Sequence, residues 1–168
     1  MMLCLKEACL EDNEREAEFI YGLPADENGF TNPWYGLPYG EIKKYAVAEM
    51  IAYSQGKNLP VGYVPEAFYF LWFKDEIVGQ FRVRHFLCDS LREGAGHVGY
   101  FIKREFRGRG YAKKGLGLCL GFARDIIPEE EIHLRVNKDN IASLRVMLYH
   151  GGYIHHEDEG KYYVRIKK

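Results

Sequence analysis

The residues best suited to chemistry occupy positions 107–112, where the sequence reads Arg-Gly-Arg-Gly-Tyr-Ala between a predicted strand and a predicted helix. Gly108 and Gly110 let the backbone turn tightly and approach a ligand closely. The free N–H groups at a helix N-terminus, together with the helix dipole, bind phosphate groups. The segment therefore predicts a phosphate or pyrophosphate site, although it is neither a Walker P-loop nor a complete dinucleotide-binding fingerprint.

The predicted anion site lies in a basic segment of a nearly neutral chain. Residues 101–127 contain seven basic and two acidic residues, whereas the whole chain has a net charge of −1. Residues 1–30 show the opposite bias, with eight acidic and two basic residues. Because the bases gather at one turn rather than along a groove, we expect neither nucleic-acid nor membrane binding.

Hydrophobic patterning places these segments in one mixed α/β domain that spans residues 1–168. The predicted order is β-α-α-β-β-β-α-β-α-β-β. Strands are predicted at 3–8, 67–73, 77–87, 96–103, 131–136, 153–156 and 162–166, and helices at 12–21, 39–55, 111–127 and 139–150. The anion-binding turn therefore follows the fourth strand, and a long loop at 22–38 joins the first two helices.

The composition favours a cytoplasmic protein. The four cysteines show neither the density of a disulfide scaffold nor the spacing of metal ligands, so we expect no metal. No apolar run approaches the ~20 residues that span a bilayer, and residues 1–7 lack a signal-peptide pattern. A homodimer through the terminal strand edge stays open.

Two segments resemble the sequence motifs of the GNAT superfamily of acetyl-CoA-dependent N-acetyltransferases, in a subgroup known only as predicted acetyltransferases. The first motif is Gln/Arg-x-x-Gly-x-Gly/Ala, and its specified positions are filled by Arg107, Gly110 and Ala112. The second is Asn-x-x-Ala/Ser-x-x-Val-x-x-x-x-Gly-Gly, which the chain matches with Asn140, Ser143, Val146, Gly151 and Gly152. The resemblance covers residues 60–155 well and the first 60 residues weakly.

The resemblance implies that the chain binds acetyl-CoA in a sheet splayed between the fourth and fifth predicted strands. Backbone groups of Phe101, Ile102 and Lys103 would pair with the pantetheine arm like an added strand. The pyrophosphate would be held by the backbone of Arg107, Gly108, Arg109, Gly110, Tyr111 and Ala112. Asn140 and Ser143 would contact the cofactor from the other side.

The implied reaction also needs a base for the amine and an acid for the leaving thiolate. His97, at the start of the fourth strand, is the first choice for the base, and His85 on the neighbouring strand is the second. Many relatives carry a Tyr seven residues after the second-motif Asn, where this chain has Met147. Tyr149 is an alternative acid, although it lies about 200° around the helix from that position; Ser143 and water are others.

The acceptor is expected to be a primary amine of a small molecule or a peptide. The loops at 22–38 and 88–95 would select it, with Phe30, Trp34 and Tyr35 from the first loop. The acidic segment at residues 1–30 favours a cationic acceptor. Two alternatives stay open: a different acyl group or O-acetylation on the same frame, and a domain that binds acetyl-CoA as a sensor or interaction module without turnover.

Overall fold

The computed structural model describes residues 2–168, whose longer strands form two antiparallel sheets. The first sheet has the order β1-β4-β5-β6, with β1 Leu3–Glu7, β4 Glu66–Phe73, β5 Glu76–Arg84 and β6 Val98–Ile102. The second has the order β7-β9-β8, with β7 Glu131–Asn137, β8 Tyr153–Glu157 and β9 Lys161–Lys167. Two short strands, β2 Asp26–Glu27 and β3 Phe30–Thr31, form a separate hairpin.

Five α-helices connect and cover these strands within residues 2–168: α1 Asn13–Tyr21, α2 Tyr39–Ser54, α3 Asp89–Arg92, α4 Tyr111–Ile126 and α5 Ile141–Tyr149. None of the helices in this part of the chain has the length and apolar character to cross a bilayer. Helices α1 and α2 pack on one face of the first sheet, and α4 packs on the other. The sheet is therefore buried on both faces.

The aromatic strand β4 shows why both faces are apolar. Successive side chains of a strand point to opposite faces, and all but the last residue of β4 is buried. Tyr69 and Leu71 belong to the core under α4, whereas Phe68, Phe70 and Trp72 belong to the core under α1 and α2. A run without polar alternation is expected of a strand that separates two cores.

The structure confirms the predicted fold class and corrects some details. The fourth and fifth predicted strands correspond to β6 and β7, and the sheet divides between them as the resemblance implied. The hairpin β2–β3 and the single-turn helix α3 were not predicted, since each lies in a segment interpreted as loop. The predicted mixed sheet is two antiparallel sheets, because β6 and β7 share no ladder in the described chain.

Glycine at position 115 lets α4 lie directly on the sheet. A Cβ atom at Gly115 would come within 2.4 Å of Phe81 Cζ and 3.0 Å of Leu71 Cδ2. Gly121, six residues further along the same helix, has no atom within 4 Å of the corresponding position. Close packing therefore explains the first glycine and not the second.

We expect Gly115→Ala to lower the free energy of unfolding relative to Gly121→Ala by about 1–3 kcal/mol, because the added methyl overpacks the core. Both changes gain roughly 1 kcal/mol of helix propensity, so the difference isolates the clash. Urea unfolding of the two variants measures it. Equal stabilisation by both substitutions would contradict the packing of α4 described above.

Candidate functional site

A cavity opens where β6 and β7 separate. The two strands meet at one end, where His97 N donates to His133 O at 2.7 Å. Beyond this junction they diverge around a cavity of about 510 Å³. Residues 98–102 of β6 form one wall of the cavity, and residues 135–137 of β7 form the other. The start of α5 and the turn before α4 complete the lining.

The turn before α4 has the geometry of an anion cradle. Gly108 and Gly110 have φ angles of 76° and 77°, and a Cβ atom at either would meet no atom within 4 Å. The first helical hydrogen bond runs from Lys114 N to Gly110 O at 3.1 Å. The N–H groups of Tyr111, Ala112 and Lys113 precede it and are free to bind a ligand. The residues present therefore fit the pyrophosphate of the cofactor that the sequence implied.

Arg107 holds this turn in place rather than reaching into open space. Its Nε donates to Ile102 O at 2.9 Å, and its two terminal nitrogens each donate to a carboxylate oxygen of Glu27 at 3.0 Å. The Arg107 hydrogen bonds lower the pKa of Glu27. The ion pair thereby joins the β2–β3 hairpin to the cradle.

The exposed edge of β6 faces the cavity. Lys103 N donates to Val78 O at 2.9 Å, so the backbone groups of Lys103, and by alternation those of Phe101, point towards β5. The backbone groups of Tyr100 and Ile102 point the other way, into the cavity. Of the three residues that the resemblance assigns to the pantetheine arm, only Ile102 directs its backbone into the cavity, and Tyr100 does so as well.

Tyr100 spans the cavity to reach α5. Its hydroxyl lies 2.6 Å from Ser143 Oγ, and its ring stacks on Phe81 with the centroids 5.4 Å apart. Asn140 caps α5 by accepting from Ser143 N at 3.3 Å. Burial raises the pKa of Tyr100 to about 12, so the hydroxyl is protonated at neutral pH and available as a donor.

The opposite end of the cavity is lined by arginines. Arg82 and Arg84 of β5, and Arg135 of β7, contribute to the lining together with Phe30 and Thr31 of the hairpin. Among residues 2–168, the charged lining residues are five bases and one acid: Arg82, Arg84, Arg107, Lys113, Arg135 and Glu27. These three arginines were not predicted, although Arg82 and Arg84 on alternate residues of a largely apolar strand indicate a polar face.

Most of the predicted cofactor residues line the cavity. Nine of the eleven do so: Phe101, Ile102, Arg107, Gly108, Gly110, Tyr111, Ala112, Asn140 and Ser143. Lys103 and Arg109 are not among the lining residues, and their side chains lie over the rings of Phe19 and Phe106.

Of the loop residues predicted to select an acceptor, some line the cavity and others do not. Phe30 lines the cavity, whereas Trp34 is buried in the core under α1 and α2 and Tyr35 is exposed. From the loop at 88–95, Ala95 contributes to the lining.

None of the three predicted catalytic residues lines the cavity. His97 is fully buried at the junction of β6 and β7, where Nδ1 accepts from His133 N at 2.9 Å and Nε2 lies 3.0 Å from Glu129 Oε2. Since Nδ1 accepts, Nε2 carries the proton and the ring is neutral. Both nitrogens thus serve the junction, which local sequence could not reveal because His133 and Glu129 are more than 30 residues away.

The other two predicted catalytic residues also lie outside the cavity. His85 follows the last residue of β5 and is half-buried, and its backbone N donates to Pro65 O at 2.9 Å. Tyr149 is 66% exposed near the end of α5, with Lys113 Nζ 4.2 Å from its ring centroid. This exposure agrees with the helical phase, which directed Tyr149 away from the position of Met147.

Comparison with known proteins identifies a family. The sequence model of the acetyltransferase (GNAT) domain family matches residues 3–152 of the chain. No curated protein sequence matches the chain significantly.

Solved structures share the fold at low identity. The N-acetyltransferase PseH of Campylobacter jejuni, in complex with acetyl coenzyme A, matches with a TM-score of 0.63 and 15% identity over 99% of each chain. The ribosomal-protein-S5-alanine acetyltransferase of Vibrio fischeri matches with a TM-score of 0.69 and 15% identity, over 99% of this chain and 93% of that one. An acetyl transferase of Salmonella typhimurium that modifies the N-terminal serine of ribosomal protein L7/L12 matches with a TM-score of 0.59 and 18% identity, over 98% of this chain and 92% of that one.

The junction makes a pH-dependent contribution to stability. Burial lowers the pKa of His97 more than its hydrogen bond to Glu129 raises it. The unfolded chain therefore takes up a proton at His97 first, and stability falls as the pH drops below the ordinary value of about 6.5.

We expect His97→Gln to lower the free energy of unfolding by about 1–3 kcal/mol at pH 8, through loss of buried hydrogen bonds. This gap in the free energy of unfolding between variant and wild type should narrow below pH ~6.5, by up to about 1.4 kcal/mol per pH unit. Denaturant unfolding across this range measures the gap, with His155→Gln on the exposed strand β8 as control. A gap that is constant with pH would show that His97 is not held neutral.

Proposed function

The chain belongs to the acetyltransferase (GNAT) family, and on that premise we propose that it transfers the acetyl group of acetyl-CoA to a primary amine of a small molecule or peptide. The observation that carries the proposal is the cavity between β6 and β7. It has an anion cradle at one end, a free strand edge along its middle and an arginine-lined chamber at the other end. Each part fits one portion of the reacting pair.

The cofactor would be held mainly by backbone groups. The N–H groups at residues 111–113 bind the pyrophosphate, and the glycines at 108 and 110 leave room for it. The backbone of Tyr100 and the N–H of Ile102 pair with the pantetheine arm along the edge of β6, since Ile102 O already accepts from Arg107 Nε. Bound acetyl-CoA supplies an acetyl group activated as a thioester. The chain's own task is to place an amine next to that group and to exclude competing water.

The acceptor amine must lose its proton, and the cavity offers no free base for this step. Among residues 2–168, Glu27 is the lone carboxylate in the lining, and it is paired with Arg107. An ordinary ammonium, with a pKa near 10.4, is only about 0.04% neutral at pH 7. Arg82, Arg84 and Arg135 disfavour a further positive charge and so lower the pKa of an amine placed among them. A tenfold gain in neutral amine follows from each unit of lowering.

Tyr100 is the proposed donor to the sulfur of the leaving thiolate. Its hydroxyl lies inside the cavity and is hydrogen-bonded to Ser143. Tyr100 would take the role of the Tyr that many relatives carry where this chain has Met147. With a pKa raised to about 12, Tyr100 stabilises the developing negative charge by a hydrogen bond rather than by giving up its proton.

Three expectations stay predictions. Residues 1–168 are proposed to form one domain. A cytoplasmic location is supported by the four free thiols at Cys4, Cys9, Cys88 and Cys119. Pairing of two copies is supported by strand β8, an edge strand of the second sheet whose residues are all exposed.

We expect Gly110→Asp to weaken acetyl-CoA binding at least 100-fold, because its carboxylate projects into the cradle and repels the pyrophosphate. Gly36→Asp is a matched control, since Gly36 also has a positive φ angle of 85° and open surroundings but lies in an exposed loop. Titration calorimetry with acetyl-CoA measures both. Similar affinity in the two variants would remove the cradle from the cofactor site.

We expect Tyr100→Phe to lower kcat about 10- to 100-fold, the worth of one hydrogen bond to a charged group. The dissociation constant of acetyl-CoA should change less than twofold, since the variant keeps the ring and the backbone. Tyr149→Phe should leave kcat unchanged because Tyr149 lies outside the cavity. Loss of turnover in Tyr149→Phe, with none in Tyr100→Phe, would reverse the assignment. Acetyl-CoA binding without release of CoA to any amine would favour a sensor.

A further inference from the structure

We propose that the acceptor carries an oxyanion, a carboxylate or a phosphate, beside its amine, and that Arg82 binds this group with help from Arg84 and Arg135. The inference rests on the proposed function and names the substrate class of the same site. It follows from three arginines that line this end of the cavity, where no carboxylate of residues 2–168 joins them in the lining.

Arg82 is a buried cation without an ion pair. Its side chain lines the cavity although the residue is only 6% exposed, and it forms no salt bridge within residues 2–168. One terminal nitrogen donates to Thr31 O at 2.6 Å and lies 3.4 Å from Gln80 Oε1, while Nε has no partner. Burial lowers the pKa of Arg82 to about 10, which still leaves it charged at neutral pH. An anionic ligand would offset the cost of burying this charge.

Two more arginines face the same space. Arg135 lies on the face of β7 opposite Leu134 and Val136, which are buried in the core, and it forms no ion pair with a carboxylate of the described chain. Arg84 has a long contact of 3.7 Å to Glu66 and donates to Gly96 O at 3.3 Å. Planar guanidinium groups bind carboxylates and phosphates through paired hydrogen bonds, so this grouping suits an oxyanion.

The arginine chamber is separate from the cofactor cradle. Arg82 pairs across the ladder with Gly99, which precedes Ile102 by three residues or roughly 10 Å of strand. The cradle begins after Ile102, at the far end of β6. The phosphates of the cofactor therefore have their own partners, and the charge of Arg82 is left for the acceptor.

The acidic N-terminal segment does not counter this charge, contrary to the expected attraction for a cationic acceptor. Of its eight acidic residues only Glu27 lines the cavity, and it pairs with Arg107; Asp12 pairs with Lys6 and Glu14 with Lys43. Glu16 is buried and accepts from Cys9 N, and burial raises its pKa to about 8. The field that an acceptor meets in the cavity is therefore set by the arginines.

The test compares acceptors that differ in one charged group. Initial rates of CoA release are measured for β-alanine against propylamine, and for 2-aminoethyl phosphate against ethanolamine. Wild type should favour at least one anionic amine by tenfold or more in kcat/KM, and the preferred member distinguishes carboxylate from phosphate. Arg82→Gln and Arg135→Gln should each reduce the preference to threefold or less, while Arg145→Gln, an exposed arginine outside the cavity, should preserve it.

The dissociation constant of acetyl-CoA should stay within about twofold in all three variants. Uncharged amines that perform as well as their anionic counterparts in both pairs, or a preference that survives both cavity substitutions, would overturn the proposal. If Arg82→Gln fails to fold, Arg135→Gln on the half-buried face of β7 carries the test.

A second measurement covers the case in which none of these amines is acetylated. Calorimetry with inorganic phosphate and with acetate is performed on protein saturated with CoA, so that the cradle is filled. Binding in wild type that is lost in both cavity variants supports the proposal, and absence of binding in wild type refutes it. Failure of wild type to bind CoA at all would instead refute the proposed function.

Discussion

The whole site depends on the fact that β6 and β7 touch at one end only. Gly96 makes the contact feasible, because its φ angle is 71° and a Cβ atom there would lie 2.4 Å from His133 O. His97 then locks the contact with its backbone and with both ring nitrogens, one of them towards Glu129. Past this point β6 and β7 form no ladder of hydrogen bonds with each other, so an edge of β6 is left open within the protein interior. A ligand that completes this edge is the natural occupant of such a gap.

The two ends of the cavity also differ in the groups that carry their positive charge. At one end lie backbone N–H groups and Lys113, which would meet the phosphates of the cofactor, and at the other end lie three arginines, which in our proposal bind the acceptor. Glu27 is the one carboxylate that lines the cavity among residues 2–168. Because it is paired with Arg107, it has a structural role and is not free to abstract a proton. The same positive charge can therefore recognise an anion on the acceptor and favour its amine in the neutral form. Tyr100 lies between the two ends, where the sulfur of the thioester would be.

The parts of the site that could be predicted from sequence are those encoded locally. Gly108 and Gly110 need a positive φ angle, and Asn140 caps α5 from its own position, so short motifs reveal them. The helical phase also indicated that Tyr149 points away from the site. In contrast, the role of His97 depends on His133 and Glu129, which only the folded chain brings near. The alternation of Arg82 and Arg84 along β5 indicates that they share one face of the strand, but what that face meets depends on the hairpin and on β7, which only the folded chain brings near.

Amide hydrogen exchange with and without acetyl-CoA tests the central claim, that the gap between β6 and β7 receives the cofactor. We expect slower exchange at residues 98–102 and 108–114, with further protection around residues 137–147 at the start of α5. Residues 153–167 of the β8–β9 hairpin should exchange at unchanged rates and serve as the internal reference. Protection confined to that hairpin, or none at the β6 edge and the cradle at saturating acetyl-CoA, would show that the cofactor does not bind in the gap.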